Sequence, residues 1–274
     1  MEMTNLVLGK STTYDCEYAP SRLQRIKREL GRSQIKNYTE SEGYDLWRLY
    51  EITYLDLNSL PKVAVGKIIV PKDSEYIVES KSLKLYIFSL TMTKFKSLEQ
   101  VESVIKRDLS ELLECDVKVS LMTLNDNDFA ISKIDSVELE SAIDLKNFQQ
   151  NSFTYSTDML KATSDKQISI NCHTNLFRSL CPVTAQPDHA TMFIEYEGKE
   201  ISYESLLSYL ISLRNHQGFH EQCVELIYSD IMTMLKPKKL CVHASFTRRG
   251  GIDINPFRTN QAIDSYKNVR TVRQ

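Results

Sequence analysis

The sequence predicts an α+β fold: two similar modules in tandem, each an antiparallel sheet with its helices on one face. Three observations predict it. The order strand, strand, helix, helix, strand occurs twice along the 274 residues. Each time, two helix-length segments stand between a hairpin and a closing strand, an order that suits an antiparallel sheet covered on one side. The length fits one large domain or two modest ones, and the repeat divides it into 1–130 and 131–274.

In the first module Trp47–Leu57 (WRLYEITYLDL) is aromatic and apolar and reads as a strand. Asn58-Ser59-Leu60-Pro61 is a turn signal, and Lys62–Val70 (KVAVGKIIV) is the second strand. Glu79–Leu90 reads as a helix. A further helix starts at Ser97, which has Gln100 at capping-box spacing. Leu98, Val101, Ile105, Leu109 and Leu112 then recur at helical spacing. Asp116–Thr123 (DVKVSLMT) returns as a strand, and Leu124–Asp165 is a polar, acidic linker with room for one short element.

The second module repeats the order. Gln167–His173 and Thr191–Glu197 alternate like strands, Ser202–Leu213 and Phe219–Leu235 read as helices, and Leu240–Thr247 reads as a strand. Phe219, Cys223, Ile227, Ile231 and Met234 share one helix face, and Ile252–Asn255 offers one more strand. Each module has a Glu-Ser pair at its first helix, Glu79-Ser80 and Glu204-Ser205. A single sheet of this kind leaves edges uncovered, so association is expected, with a homodimer as the simplest form.

Composition narrows the function. With 34 Lys+Arg against 36 Asp+Glu the formal charge is −2, without the basic surplus of a nucleic-acid binder. No apolar run approaches the roughly 20 residues of a membrane span. Met1–Lys10 lacks the basic-then-apolar pattern of a signal peptide. The six cysteines form no CxxC, so a cytoplasmic chain with free thiols is expected. No metal-ligand spacing occurs among the histidines, no GxGxxG follows a strand, and no GxxxxGK[ST] is present.

Few side chains stand out chemically. Cys181 lies in Phe177-Arg-Ser-Leu-Cys-Pro-Val-Thr184, where Pro182 stops a regular element. A cysteine on such a loop, with Arg178 near, suits a thiolate nucleophile; the plainer reading is a small buried apolar residue. Asp188, in Gln186-Pro-Asp-His189, is fixed by Pro187 and suits a proton donor, or simply begins a turn. Glu221 falls in a first helical turn, where the macrodipole favours a carboxylate. A fixed carboxylate there also matches the paired N–H edge of a guanine or pterin ring, and Glu79 is a similar candidate. Lys81 and Lys84 with Ser80 and Ser82 make one basic, hydroxyl-bearing turn, and Arg248-Arg-Gly-Gly251 another. Both are phosphate-binding types and both are also ordinary solvated surface.

The segment Glu79-Ser-Lys-Ser-Leu-Lys-Leu-Tyr86 matches the signature E-S-K-S-x-K-L-Y of the NADPH-dependent nitrile reductases acting on 7-cyano-7-deazaguanine. Phe177–Ala190 resembles that family's nucleophile segment, Phe219-His-Glu221 its base-recognition segment, and Arg248-Arg-Gly-Gly251 its second cofactor segment. The four occur in the family's order and span nearly the whole chain, as in its long, two-module branch. The resemblance implies tandem tunnelling-fold modules, the signature in the first and the cysteine in the second. It implies Cys181 as the nucleophile forming a thioimide, Asp188 as proton donor and His220 as an assistant. It implies a base pocket of Val78, Glu79, Ser80, His220 and Glu221, and NADPH held by Ser80, Lys81, Arg249 and Gly250, with no metal. The substrate is then the free base, reduced with two NADPH in queuosine biosynthesis, so no nucleic acid or membrane is engaged. Ala185 and His189 depart from the family pattern, which has Gly or Asn and an aromatic residue there. Two other readings stand beside this one: a pterin-type hydrolase or lyase, which would want zinc ligands, and a purine or pterin binder without reductase activity.

Overall fold

The computed structural model describes residues 14–125, 129–264, 267 and 269–274; Met1–Lys10 lies outside them. The chain forms two compact units. The first takes Met1–Leu30, Asp45–Ala130 and Arg248–Ile254, and the second Gly31–Tyr44, Ile131–Thr247 and Asn255–Gln274.

The elements are, in order, β1 (Arg25–Lys27), α1 (Glu29–Arg32), β2 (Glu42–Leu55), β3 (Pro61–Pro71), β4 (Tyr76–Val78), α2 (Ser80–Ser89), α3 (Leu98–Leu113), β5 (Lys118–Met122), β6 (Val137–Glu138), α4 (Leu139–Ala142), β7 (Gln167–Leu180), β8 (Pro187–Lys199), α5 (Tyr203–Ser212), α6 (His220–Leu235), β9 (Lys239–Phe246) and β10 (Ile252–Thr259). The α+β class is as expected.

In the first unit β5, β3 and β2 are successive neighbours, with β3 and β5 antiparallel. Their inward residues Trp47, Leu49, Ile52, Ala64 and Ile68 meet Leu83, Tyr86, Ile87, Val101, Ile105 and Leu109 from α2 and α3. Arg25–Lys27 pairs antiparallel with β4 as a three-residue ribbon, too short for alternation to mark in the sequence, with Ile26 and Ile77 buried as cross-strand partners. Ser97 caps α3, and its Oγ accepts from the Gln100 amide. Gln100 does not close the expected capping box, because its side chain accepts from the Lys96 amide instead of that of Ser97.

In the second unit the order is β10, β9, β8, β7, β6. The pairs β10–β9, β9–β8 and β8–β7 are antiparallel. The two-residue β6, drawn from the linker, runs parallel to β7, an exception to the expected antiparallel pattern. Helices α5 and α6 cover the face formed by Ile170, Cys172, Phe177, Ala190, Met192, Ile194, Val242 and Phe246. The segment 31–44 packs on α6: the Gln222 side chain donates to the Gly31 carbonyl and the Thr39 amide to Ser229 Oγ. Glu225 of α6 is buried between Arg32 and Arg258. Twelve residues of α6 are buried against five of α3, which is why its sequence reads as less amphipathic.

The two units repeat one design in detail. Strands β2 and β7 are both 14 residues long, α2 and α5 both 10, and α3 and α6 both 16. Glu114 and Lys236 end α3 and α6 in the left-handed region. Tyr86 donates to buried Asp108, as does Tyr18; Tyr209 donates to buried Asp230, as does Tyr155. Ser89 Oγ donates to the Tyr86 carbonyl and Ser212 Oγ to that of Tyr209, both at 2.7 Å. This alignment corrects the pairing of the two Glu-Ser dipeptides. Glu79 is the N-cap of α2 and matches Ser202, the N-cap of α5, whereas Glu204 lies inside α5.

Candidate active site

Cys181 follows directly on β7. Leu180 faces Pro187 and Ser179 faces Asp188 across the β7–β8 hairpin. The Cys181 amide donates to the Gln186 carbonyl, and the Ala185 amide to that of Cys181, each at 2.9 Å. The turn is therefore 181–186, ended by Pro187, which opens β8 and leaves Asp188 on a strand. Neither Pro187 nor Asp188 forms the turn expected from Pro-Asp; cross-strand pairing overrides that local preference. Ala185 has φ 55°, the left-handed region where Gly or Asn sits without strain. A Gly or Asn expected at this position would have a backbone cause.

The start of α6 is tied to this hairpin. The Leu180 amide donates to the His216 carbonyl (2.8 Å), and the Gly218 amide to the Leu180 carbonyl (3.1 Å). This short parallel bridge, Leu180 with Gln217, sets the first turn of α6 beside the hairpin. His220 Nε2 lies 3.6 Å from Asp188 Oδ1. Alternation along β8 puts Asp188 on the helix-covered face with Ala190 and Met192, and exposed His189 on the other. Asp188 is 5% exposed and Glu221 3%, while Cys181 is only half-buried. The arrangement brings a reachable thiol, a buried carboxyl and an imidazole to one hairpin and one helix end.

A second thiol lies beneath. Burial pushes Cys223 up to about 12; Ser179 opposes that shift, and the charges of Asp188 and Glu221 add to it. Cys223 stays a neutral thiol, as do Cys172 and Cys241, both also held at about 12 by burial. Phe219 gives α6 no side-chain cap, so the first-turn amides and the macrodipole act on Glu221 without competition from a capping side chain.

In the first unit Val78 ends β4, and Glu79 caps α2. Its two oxygens accept from the Lys81 amide (2.9 Å) and the Ser82 amide (2.7 Å). A carboxylate has about four acceptor positions, so the cap fixes Glu79 and leaves room for two further donors. Ser80, Lys81, Ser82 and Lys84 lie in α2 itself and not in a turn, with Ser82 buried. Arg249 and Ile252 close a two-residue hairpin on Gly250 (φ 57°) and Gly251 (φ 76°), a backbone that favours glycine at both centres. A Cβ on Gly250 would lie 3.1 Å from Lys84 Cδ. The two basic segments, far apart in sequence, are therefore neighbours in this unit. Backbone amides of a positive-φ turn beside Arg249 and Lys84 fit a phosphate group.

Among the described residues no group of three or more His, Cys, Asp and Glu is placed to hold a metal, and no helix is long and apolar enough to cross a membrane. The sequence reading missed the bridge at Leu180 and the ring of Phe246 under His220. The one signal for the bridge was Gly218, where a Cβ would lie 3.0 Å from His216 Nε2 and 3.3 Å from Cys223 Sγ.

Comparison with known proteins bears on this geometry. Residues 14–121 match the family described as "Nitrile reductase, 7-cyano-7-deazaguanine-reductase N-term", and residues 187–265 match "QueF-like protein". An NADPH-dependent 7-cyano-7-deazaguanine reductase of Acinetobacter baumannii is 39% identical over 276 residues, and one of Acinetobacter baylyi 40% over 279, each covering 100% of both chains. The crystal structure of the archaeosine synthase QueF-Like in the apo form covers 37% of this chain and 99% of its own at 14% identity, with a TM-score of 0.31. That likeness is too slight to carry an argument.

Proposed function

The chain belongs to the family of NADPH-dependent 7-cyano-7-deazaguanine reductases, and we propose that it reduces the nitrile of that base to the aminomethyl group through a covalent adduct at Cys181. It is an NADPH-dependent oxidoreductase, and its place is in queuosine biosynthesis. The observation that carries the mechanistic reading is the hairpin that sets Cys181 next to Asp188 and His220.

The Cys181 sulfur adds as the thiolate to the nitrile carbon, and Asp188 delivers a proton to the nitrogen as the C≡N bond becomes C=N. The product is a thioimide, a better hydride acceptor than the nitrile. NADPH, when bound, supplies hydride to that carbon. After the first reduction the carbon–sulfur bond breaks, its electron pair leaves on sulfur as the thiolate and an imine is left. Reduction of that imine to the amine would need a second hydride equivalent, so two NADPH would be used for each base. Covalent attachment holds the base in place while the first hydride is accepted, and the imine that follows is held by the pocket's noncovalent contacts while the cofactor exchanges. His220 holds or relays the proton at Asp188.

Glu221, with His220 beside it, and Glu79, with Val78 and Ser80 beside it, are each proposed as base-binding residues that accept from its amino and ring N–H groups. Ser80, Lys81, Arg249 and Gly250 are proposed to hold NADPH. The Gly250–Gly251 backbone and the neighbouring Lys84 support a phosphate at that place. We further propose two tandem tunnelling-fold modules, about 1–130 and 131–274, supported by the repeated Tyr–Asp–Tyr hubs. A cytoplasmic homodimer acting on the free base, with no nucleic acid or membrane partner, completes the reading; the end strand β5 supplies an edge for a second copy.

The test is loss of NADPH absorbance on adding 7-cyano-7-deazaguanine. Two NADPH consumed for each aminomethyl base formed is the expected result. Tight binding of the base with no NADPH consumed would favour the binder reading.

A further inference from the structure

His220 does not stand alone at the end of α6. Its ring meets that of Phe246 edge to face, with centroids 4.0 Å apart and planes at 87°. Phe246 is 1% exposed and makes a second edge-to-face contact, with Phe177, at 6.1 Å and 85°. Phe177, Ala190 and Phe246 are successive cross-strand neighbours on β7, β8 and β9. Ala190 between them has only a methyl group, so the two rings can meet across it. The backbone of this row is clamped from outside. The Gln274 side chain donates to the Phe246 carbonyl (3.0 Å), and Arg273 to the Ala190 carbonyl (3.2 Å).

The first unit supplies an internal contrast. Its matching hairpin has Ala64 three residues after Pro61, as Ala190 follows Pro187. Ile52 stands at the place of Phe177, and the register of Val65 with Met122 puts Thr123 at the place of Phe246. The first residue of α3 is Leu98, where α6 has His220. Where the histidine is absent, the ring pair is absent too. A core that only needed filling would not require the two to change together.

We propose that Phe246 is a positioning residue for the reduction: its ring fixes the plane of His220 and so holds Nε2 toward Asp188. An edge-to-face contact is directional, so an aliphatic side chain of similar bulk fills the space without fixing the plane. The inference rests on the proposed role of His220 and goes beyond it, by naming what orients the imidazole. The other titratable groups near this helix end are Cys181 after β7, Asp188 on β8, Glu221 and Cys223 on α6, and His216 in the approach to α6.

The test compares Phe246→Leu with Phe95→Leu, which removes a buried ring from the first unit and controls for a general loss of packing. Two readouts are taken. The first is the long-range 1H–15N spectrum of the histidine rings in the free protein, with His220 assigned from the signals lost in His220→Asn. The second is the steady-state rate of NADPH oxidation with the nitrile base. In Phe246→Leu the ring-current-shifted His220 signals are expected to move toward the positions of an unstacked imidazole. The same variant should lose about tenfold in kcat at nearly constant KM, the scale of a catalytic group set loose. Phe95→Leu should change neither. A His220 spectrum and a kcat in Phe246→Leu matching those of Phe95→Leu would overturn the proposal. If the wild-type protein consumes no NADPH, the reading of the site fails instead, and the spectrum still decides whether Phe246 orients His220.

Discussion

The two hairpins at the matching ends of the two units differ in the side chains on which the proposed chemistry depends. In the second unit the turn begins with Cys181 and the next strand with Pro187-Asp188. In the first it begins with Asp56, and the next strand with Pro61-Lys62. Both turns close alike: the Asp56 amide donates to Leu60 and the Cys181 amide to Gln186, each at 2.9 Å. Both have a left-handed residue just before the closing one, Ser59 at 66° and Ala185 at 55°. Both are bridged to the approach of the unit's 16-residue helix, α3 or α6, Leu55 with Lys94 and Leu180 with Gln217. In the first unit, though, Asp56 accepts from the Asn58 and Leu60 amides and pairs with Lys62 at 3.4 Å. Glu99, which matches Glu221, is exposed, and the Ser97 hydroxyl lowers its pKa. The same backbone thus serves as a stabilised turn in one unit and as a candidate reaction site in the other. The scaffold supplies placement, and a few substitutions at fixed positions supply the chemistry.

The largest expected contrast is at the strand position after the proline. Asp188→Asn should lower the rate of NADPH oxidation by about 100-fold or more, the scale of a lost general acid. Lys62→Ala, at the matching place, should leave it unchanged. Next comes the second residue of each long helix. Glu221→Gln should weaken binding of the base by about 2–5 kcal/mol in calorimetric titration, since the ligand's donors lose a buried charged acceptor. Glu99→Gln should not alter it.

A smaller effect is the pH dependence of the buried hub in the second unit. Burial raises Asp230 above its ordinary 3.8, against the lowering effect of the Tyr209 and Tyr155 hydroxyls. The folded state therefore binds this proton more tightly than the unfolded chain does. Its contribution is complete below about pH 4 and is lost as pH rises through the raised value, with a slope of at most about 1.4 kcal/mol per pH unit. Urea unfolding at a series of pH values should show Asp230→Asn losing that decline. An identical slope in the variant and the wild type would remove the contribution assigned to Asp230. The smallest effect is shared by the two turns. Ser59→Gly and Ala185→Gly should each raise stability, by about 1 kcal/mol, by relieving the left-handed strain.

Much of this was legible in the sequence. Each helix of the two long pairs starts within a residue of its cap, because Glu79, Ser97 and Ser202 announce their positions and the 3.6-residue spacing follows. The sequence marks the longer strands but ends β7 early, starts β8 late and overextends β5, and it does not mark the short β1, β4 and β6. The second half of β7 continues past its bulge at Thr174/Phe177, where alternation breaks. Met234, expected on the buried face of α6, is 40% exposed; a helix buried nearly all round no longer marks its inner face by periodicity. The packing of the segment 31–44 on α6 rests on polar bonds between residues about 190 apart in sequence, for which no local pattern exists. At the candidate site, Cys181 is visible through Pro182 and Asp188 as a candidate proton donor, but the place of Asp188 on a strand is not, because its strand partner, Ser179, is set only by hairpin register. The internal repeat was visible as an order of elements. It became residue-specific only through the Tyr–Asp hubs, whose members are not adjacent in sequence.

The central claim is that the second hairpin, and not the first, carries a nucleophile. Intact mass after mixing the protein with 7-cyano-7-deazaguanine in the absence of NADPH tests it most directly. The account predicts one added base per chain in the wild type, none in Cys181→Ala, and none at the first hairpin in the double variant Asp56→Cys, Cys181→Ala. A folded wild-type protein that binds the base yet gains no mass, or an adduct that survives in Cys181→Ala, would contradict it.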